Sequence, residues 1–274
     1  MSKSLIKYFC FDLDGTLLNS KKNISIEARN KIIELKKNGA IIILASGRHF
    51  NEMTRYINEL KLDHDDYAIS CDGLYTYKCN GDLLFTRTFL SKQDLLKIRE
   101  FFNAEDIYFF TSLEDYRWIC SFFKSIISRL RLLKARKSIF NVYYRCKRIP
   151  DDIKIEKIRI NNASLSSANS LGNNYTIHKV QTDGLRIEIL HGDVNKYLAL
   201  NQLMKCLNNQ EMDSLLYFGN DDNDRECFQN IKYTIAMEDS PEDLKRLAFS
   251  TTDSSDENGV YKALIEYTIE NKYL

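Results

Sequence analysis

The sequence predicts an α/β protein: a doubly wound, Rossmann-like parallel sheet interrupted by an inserted mixed α/β domain. Three observations lead there. Over the first 70 residues, short apolar runs alternate with amphipathic stretches in the order β-α-β-α-β. The same alternation returns near the C-terminus, and the stretch between the two follows a different pattern.

Taken in order, residues 6–11 form an apolar, β-rich run, and residues 25–38 read as a helix with Ser25 as N-cap and Gly39 just past its end. Residues 40–45 (AIIILA) are continuously apolar, as expected of a strand covered by helices on both faces. A helix over 50–60 and a short strand over 67–70 complete the first half. Asn80-Gly81 lies between the runs 74–77 and 83–87, a hairpin signal. Further on, 186–190 reads as a strand, 195–207 as a helix, 214–218 as a strand and 222–229 as a short helix. The segments 231–237, 241–247 and 260–269 continue the alternation. The expected division is a core of residues 1–84 and 188–274, with the insert at 85–187.

Composition narrows the function classes. The chain has 274 residues, 44% hydrophobic and 28% charged, which suits a soluble globular protein of two ordinary domains. A net charge of +1 exerts no overall pull toward nucleic acid or membrane. The start, MSKSLIKYFCF, is interrupted by charge too early for a secretory signal, and no apolar run is long enough to span a bilayer. Seven cysteines without a CxxC pair, and four histidines without ligand spacing, argue against zinc and disulfide frameworks and for a reducing cytoplasm.

Ligands of such sheets sit beyond the carboxyl ends of the strands, and four places of this kind carry suggestive residues. The first is FDLDGTLL, where Asp12 and Asp14 follow an apolar run. A carboxylate there can attack phosphorus and bind Mg²⁺, while a second one two residues on can serve as acid and then base. Gly15 allows a sharp turn and Thr16 can anchor the loop; the same residues also suit a solvated turn. In the second, Ser46-Gly47-Arg48, a hydroxyl and backbone N–H groups open a helix and offer a phosphate site, though Ser-Gly is also an ordinary turn. The third is Lys196, an ammonium at a helix start, though most lysines are solvated surface residues. The fourth, Gly219-Asn220-Asp221-Asp222-Asn223-Asp224, clusters carboxylates that repel one another unless a cation is held or the loop is well solvated; it also suits an acidic helix N-terminus.

FDLDGTLL, ILASGR, SCDG before a hairpin, the lysine of DVNKYLAL, FGNDDND and TTDSSDENGVYKALIEY, in this order, resemble the haloacid dehalogenase-like hydrolase superfamily, in its Cof-type sugar-phosphate phosphatase branch. The resemblance implies a core with an α/β cap, with Asp12 as nucleophile and Asp14 as general acid/base. It implies phosphate binding by the Leu13 backbone, Ser46, Gly47, Lys196 and Asn223. It further implies Mg²⁺ held by Asp12, the Asp14 carbonyl and Asn220, with Asp224 ordering the metal's surroundings. Three positions depart from the family pattern. Asn220 stands where an aspartate is usual, Cys71-Asp72-Gly73 where Asn-Gly is usual, and Glu238-Asp239-Ser240 where Gly-Asn-Ala is usual. An amide oxygen at 220 brings no negative charge, so metal binding weakens or Asp221 compensates.

Between residues 116 and 150 there are ten Lys/Arg and no Asp/Glu, and apolar residues at 119, 122, 123, 126, 127, 130 and 133 recur at helical spacing. This reads as a solvated cap surface or as a charge that draws phosphorylated substrates. The expectation is a cytoplasmic Mg²⁺-dependent phosphatase for small phosphorylated metabolites, sugar phosphates foremost, with no nucleic-acid, membrane or obligate protein partner. A phosphomutase of the same superfamily and a catalytically weakened phosphate-ligand-binding regulatory protein are the alternatives.

Overall fold

The computed structural model describes residues 6–102, 106–111, 115–119, 141–144, 149–161, 163, 168–180, 186–207 and 212–269. The chain divides into two compact units, 1–87 with 194–274, and 88–193.

The first unit is built on an eight-stranded sheet in the order β14-β13-β12-β1-β2-β3-β4-β5. Here β1 is Tyr8–Asp12, β2 Ile41–Ala45, β3 Tyr67–Ser70, β4 Tyr75–Lys78, β5 Leu83–Thr86, β12 Leu215–Gly219, β13 Tyr233–Met237 and β14 Ser250–Thr252. All pairings from β14 to β3 are parallel, and the β4–β5 hairpin closes the far edge antiparallel. The chain leaves β1 toward β2 on one side and returns later to β12 on the other. The carboxyl ends of β1 and β12 therefore flank the crevice where such sheets bind ligands.

Period-two alternation in β1 sends Phe9 and Phe11 into one apolar cluster and Tyr8 and Cys10 into another. The first cluster takes side chains from helix α1 (Ile26–Lys37), helix α2 (Phe50–Glu59) and the C-terminal helix α7 (Gly259–Ile269). The second takes them from α4 (Lys196–Cys206) and α5 (Arg225–Asn230). Asp12, two residues beyond Cys10, continues toward the α4 side. Helix starts follow the sequence: Ser25 Oγ accepts from the Ala28 N–H (3.1 Å), and Asn195 Oδ1 from the Leu198 N–H (2.7 Å).

Two elements differ from expectation. The acidic stretch is a 3₁₀ turn, Asp222–Asp224, before α5 begins, and β14 extends the sheet where no strand was expected.

The second unit carries a six-stranded sheet, β10-β11-β9-β6-β7-β8. Its strands are β6 Asp106–Phe110, β7 Asp115–Ile119, β8 Asn141–Tyr144, β9 Lys157–Asn161, β10 Tyr175–Val180 and β11 Arg186–His191. All pairs are antiparallel except β7 with β8. Leu95 and Ile98 of helix α3 (Lys92–Phe101) join Ile107, Phe109, Ile158, Ile160, Ile187 and Ile189 in its apolar cluster. Because β11 pairs with β9 and β10, the chain returns to the first unit at 194 rather than 188. Likewise the insert begins at 88 rather than 85, since β5 completes the first sheet. Ile119 ends a strand rather than opening a helix, and residues 120–140, the body of the expected basic helix, lie outside the described residues.

Candidate active site

Four strands of the first sheet end at the crevice, and each hands over to a loop singled out above or adjoining one. Asp12 closes β1, Ala45 precedes Ser46, Ser70 precedes Cys71-Asp72-Gly73, and Gly219 closes β12.

Lys196 is the hub. The first residue of α4, it is fully buried, and its Nζ donates to Asp12 Oδ1 and to Asp224 Oδ1, both at 2.6 Å. Burial acts to lower its pKa, but the charges of Asp12, Asp224 and Asp72 outweigh it and hold the ammonium charged. The surface-lysine reading is excluded.

Asp12 is 3% exposed, and burial raises its carboxyl to about 7 against the opposing pull of Lys196. Its second oxygen, Oδ2, is buried without a hydrogen-bond partner among the described residues. A carboxylate oxygen shut off from water and given no donor calls for a cation or a proton. The turns that follow β1 and β12 offer carboxylate, amide and carbonyl oxygens, the kind of donor that suits a hard cation such as Mg²⁺.

Asp14 is engaged from two sides. Arg48 makes a two-pronged pair, Nε to Oδ2 at 2.6 Å and Nη2 to Oδ1 at 2.8 Å, and Lys22 Nζ adds a bond to Oδ1 at 2.6 Å. Partial burial raises the carboxyl, yet these bonds and charges outweigh it and hold Asp14 at about 2. Gly15, at φ +84°, makes the tight turn after β1 possible. A side chain there would also strike the Asn220 amide. Thr16 Oγ1 donates to Asn220 Oδ1 at 3.2 Å, anchoring the amide.

Asp224, expected to order the metal's surroundings, meets protein donors on both oxygens. Its Oδ1 accepts from Lys196 and from the Tyr217 hydroxyl (2.6 Å), and its Oδ2 from the N–H groups of Asn220 (2.9 Å) and Asp221 (3.2 Å). With its acceptor positions filled by protein donors, it braces Lys196 and the loop. Asn223 Nδ2 donates one of its two N–H groups to Asp72 Oδ1 at 2.8 Å. Asp221 has its carboxyl raised by burial and then by its Asp224 and Asp222 neighbours, the mark of a loop short of positive charge.

Ser46 is buried; its Oγ accepts from the Arg48 N–H (3.2 Å), which leaves the hydroxyl proton for another acceptor. The buried Leu13 lends its carbonyl to the N–H groups of Thr16 and Leu18, closing the turn. Sequence reasoning gave no role to Arg48, Lys22 or Tyr217. Tyr217 had a signal: a tyrosine inside an otherwise apolar strand needs a partner for its hydroxyl.

Comparisons with known proteins bear on the family and the fold. A family profile for haloacid dehalogenase-like hydrolases matches residues 9–264. The 5-amino-6-(5-phospho-D-ribitylamino)uracil phosphatase YcsE of Bacillus subtilis is 26% identical over 264 residues, covering 96% of both chains. Phosphatase YwpJ of the same organism is 24% identical over 282 residues, 93% of this chain and 97% of its own. Among solved structures, the subclass IIB sugar phosphatase BT4131 superposes with a TM-score of 0.73 at 15% identity, over 96% of this chain and 99% of its own. With the motif order, the sheet and the profile in agreement over nearly its whole length, the chain belongs to the haloacid dehalogenase-like hydrolases, as a phosphatase.

Proposed function

We propose that this phosphatase hydrolyses phosphate monoesters of small metabolites, sugar phosphates foremost, through an aspartyl-phosphate on Asp12. The supporting observation is the buried Asp12 carboxylate, with one oxygen held by Lys196 and the other without a donor among the described residues. Mg²⁺, held by Asp12, the Asp14 carbonyl and Asn220 or Asp221, would supply charge neutralisation and alignment for an in-line displacement. Lys196 fixes the attacking carboxylate and offsets phosphoryl charge. The Ser46 hydroxyl and the Gly47 and Leu13 backbone N–H groups cradle the phosphoryl oxygens.

Asp14 carries the protons. It passes one to the leaving oxygen in the first step and takes one from water in the second. The pair with Arg48 and Lys22 favours its ionised form, which suits the second step; carrying a proton for the first requires that this pair loosen. The names of YcsE and BT4131 point to phosphorylated small molecules as the substrate class.

A screen of phosphorylated metabolites with Mg²⁺, read by phosphate release, tests the proposal. Turnover should yield free phosphate and vanish in Asp12→Asn. An isomerised hexose phosphate instead of free phosphate would establish the mutase alternative. Substantial turnover by Asp12→Asn would refute the mechanism.

A further inference from the structure

The turn after β3 is unusual in its backbone. Cys71 and Asp72 have φ of +49° and +55°, and Gly73 follows at +101°. Two side-chain-bearing residues in succession thus occupy the left-handed region, a costly conformation that surrounding contacts must enforce. Here the neighbouring loop does so: the Asp72 N–H donates to the Ser46 carbonyl (3.0 Å) and the Cys71 N–H to the Arg48 carbonyl (2.9 Å).

The outcome is to aim a carboxylate. Asp72 is 2% exposed, and a Cβ built on Gly47 would lie 3.0 and 3.1 Å from its two oxygens. The charge therefore presses on the backbone of the Ser46-Gly47 cradle itself. One of its oxygens holds the Asn223 amide N–H at 2.8 Å. Lys196, bonded to Asp12 and Asp224, feels the charge of Asp72 as well, so one buried ammonium answers to three carboxylates.

We propose that Asp72 sets the phosphate affinity of this site by weakening it. Its buried charge opposes a phosphate dianion on Ser46-Gly47, and its oxygen holds one of the two Asn223 N–H groups. Inorganic phosphate then leaves readily after hydrolysis. The inference rests on the phosphatase reading above, and it gives a physical role to a position where this chain departs from its family.

Asp72→Asn isolates the charge. Asparagine has the same shape, tolerates the left-handed conformation and keeps an oxygen for Asn223. Inorganic phosphate is the probe, followed by calorimetric titration in Mg²⁺ and as a competitive inhibitor of aryl phosphate hydrolysis. The variant should bind phosphate at least tenfold more tightly, with KM falling in parallel and kcat unchanged or lower. Asp72→Ser, which also removes the charge, should shift the titration in the same direction and serves if the first variant melts early. Unchanged or weaker phosphate binding in a folded variant, beside an active wild type, overturns the inference and leaves the phosphatase reading intact. A wild type that neither binds phosphate nor hydrolyses aryl phosphates in Mg²⁺ overturns both.

Discussion

Asp12→Asn should abolish turnover and, with metal chelated, make the protein more stable. Burial lifts the Asp12 carboxyl from 3.8 to about 7 in the folded chain. A carboxyl with a raised folded pKa binds protons more tightly when folded. Its ionisation therefore costs stability as pH rises from the unfolded value toward the folded one. At about 1.4 kcal/mol per unit, the cost is about 2 kcal/mol at roughly pH 5 and about 4 kcal/mol at roughly pH 8. Asparagine removes it, and Lys196 keeps Asp224 as partner, so no buried ammonium is left alone. For a chain of this size, about 2–4 °C per kcal/mol puts the rise in Tm on the order of 10 °C near pH 8. Melting curves of both proteins in EDTA at the two pH values test this. Saturating Mg²⁺, at about a hundred times its Kd, should then stabilise the wild type by about 2.7 kcal/mol and the variant far less. A variant no more stable than wild type at the higher pH, or a gap that fails to narrow at the lower, would refute the reasoning.

Lys196→Met should remove activity and cost about 3–5 kcal/mol of stability in urea melts, because two buried carboxylates lose their shared cation. Arg48→Ala should raise the Asp14 carboxyl toward the ordinary range, moving to higher pH the limb on which kcat/KM falls as Asp14, the acid of the first step, ionises; an unmoved limb would show that Arg48 does not govern that group. Asn220→Asp returns a negative charge to the loop. The Mg²⁺ concentration for half-maximal activity should fall by about tenfold, in line with roughly 1.4 kcal/mol of added attraction.

What could be read in advance was local. Ser25 and Asn195 announce their helices because a side-chain oxygen beside a run of helix formers has one good use. Asp12 and Asp14 were legible because paired charges at the end of an apolar strand need a purpose. Arg48 and Lys22 were not, because their partner lies 34 and 8 residues away and a basic residue in a loop carries no mark of what it meets. Composition shows a carboxylate at Asp224, while only the fold shows which protein donors its oxygens meet. The strand 186–191 went to the wrong sheet, since an apolar alternating run reads alike in both.

Among the described residues, the buried apolar clusters sort by unit. The two clusters on the faces of the parallel sheet draw only on residues outside 88–193, and the third draws only on residues within it. The ends of the insert are neighbours besides, with Thr88 Oγ1 donating to Asp193 Oδ2 at 2.7 Å. A substitution in the third cluster consequently spends its destabilisation there, leaving the packing behind Asp12 and Lys196 as it was. The insert can thus diverge in sequence under its own folding constraint, while the residues that support the reacting carboxylate answer to another.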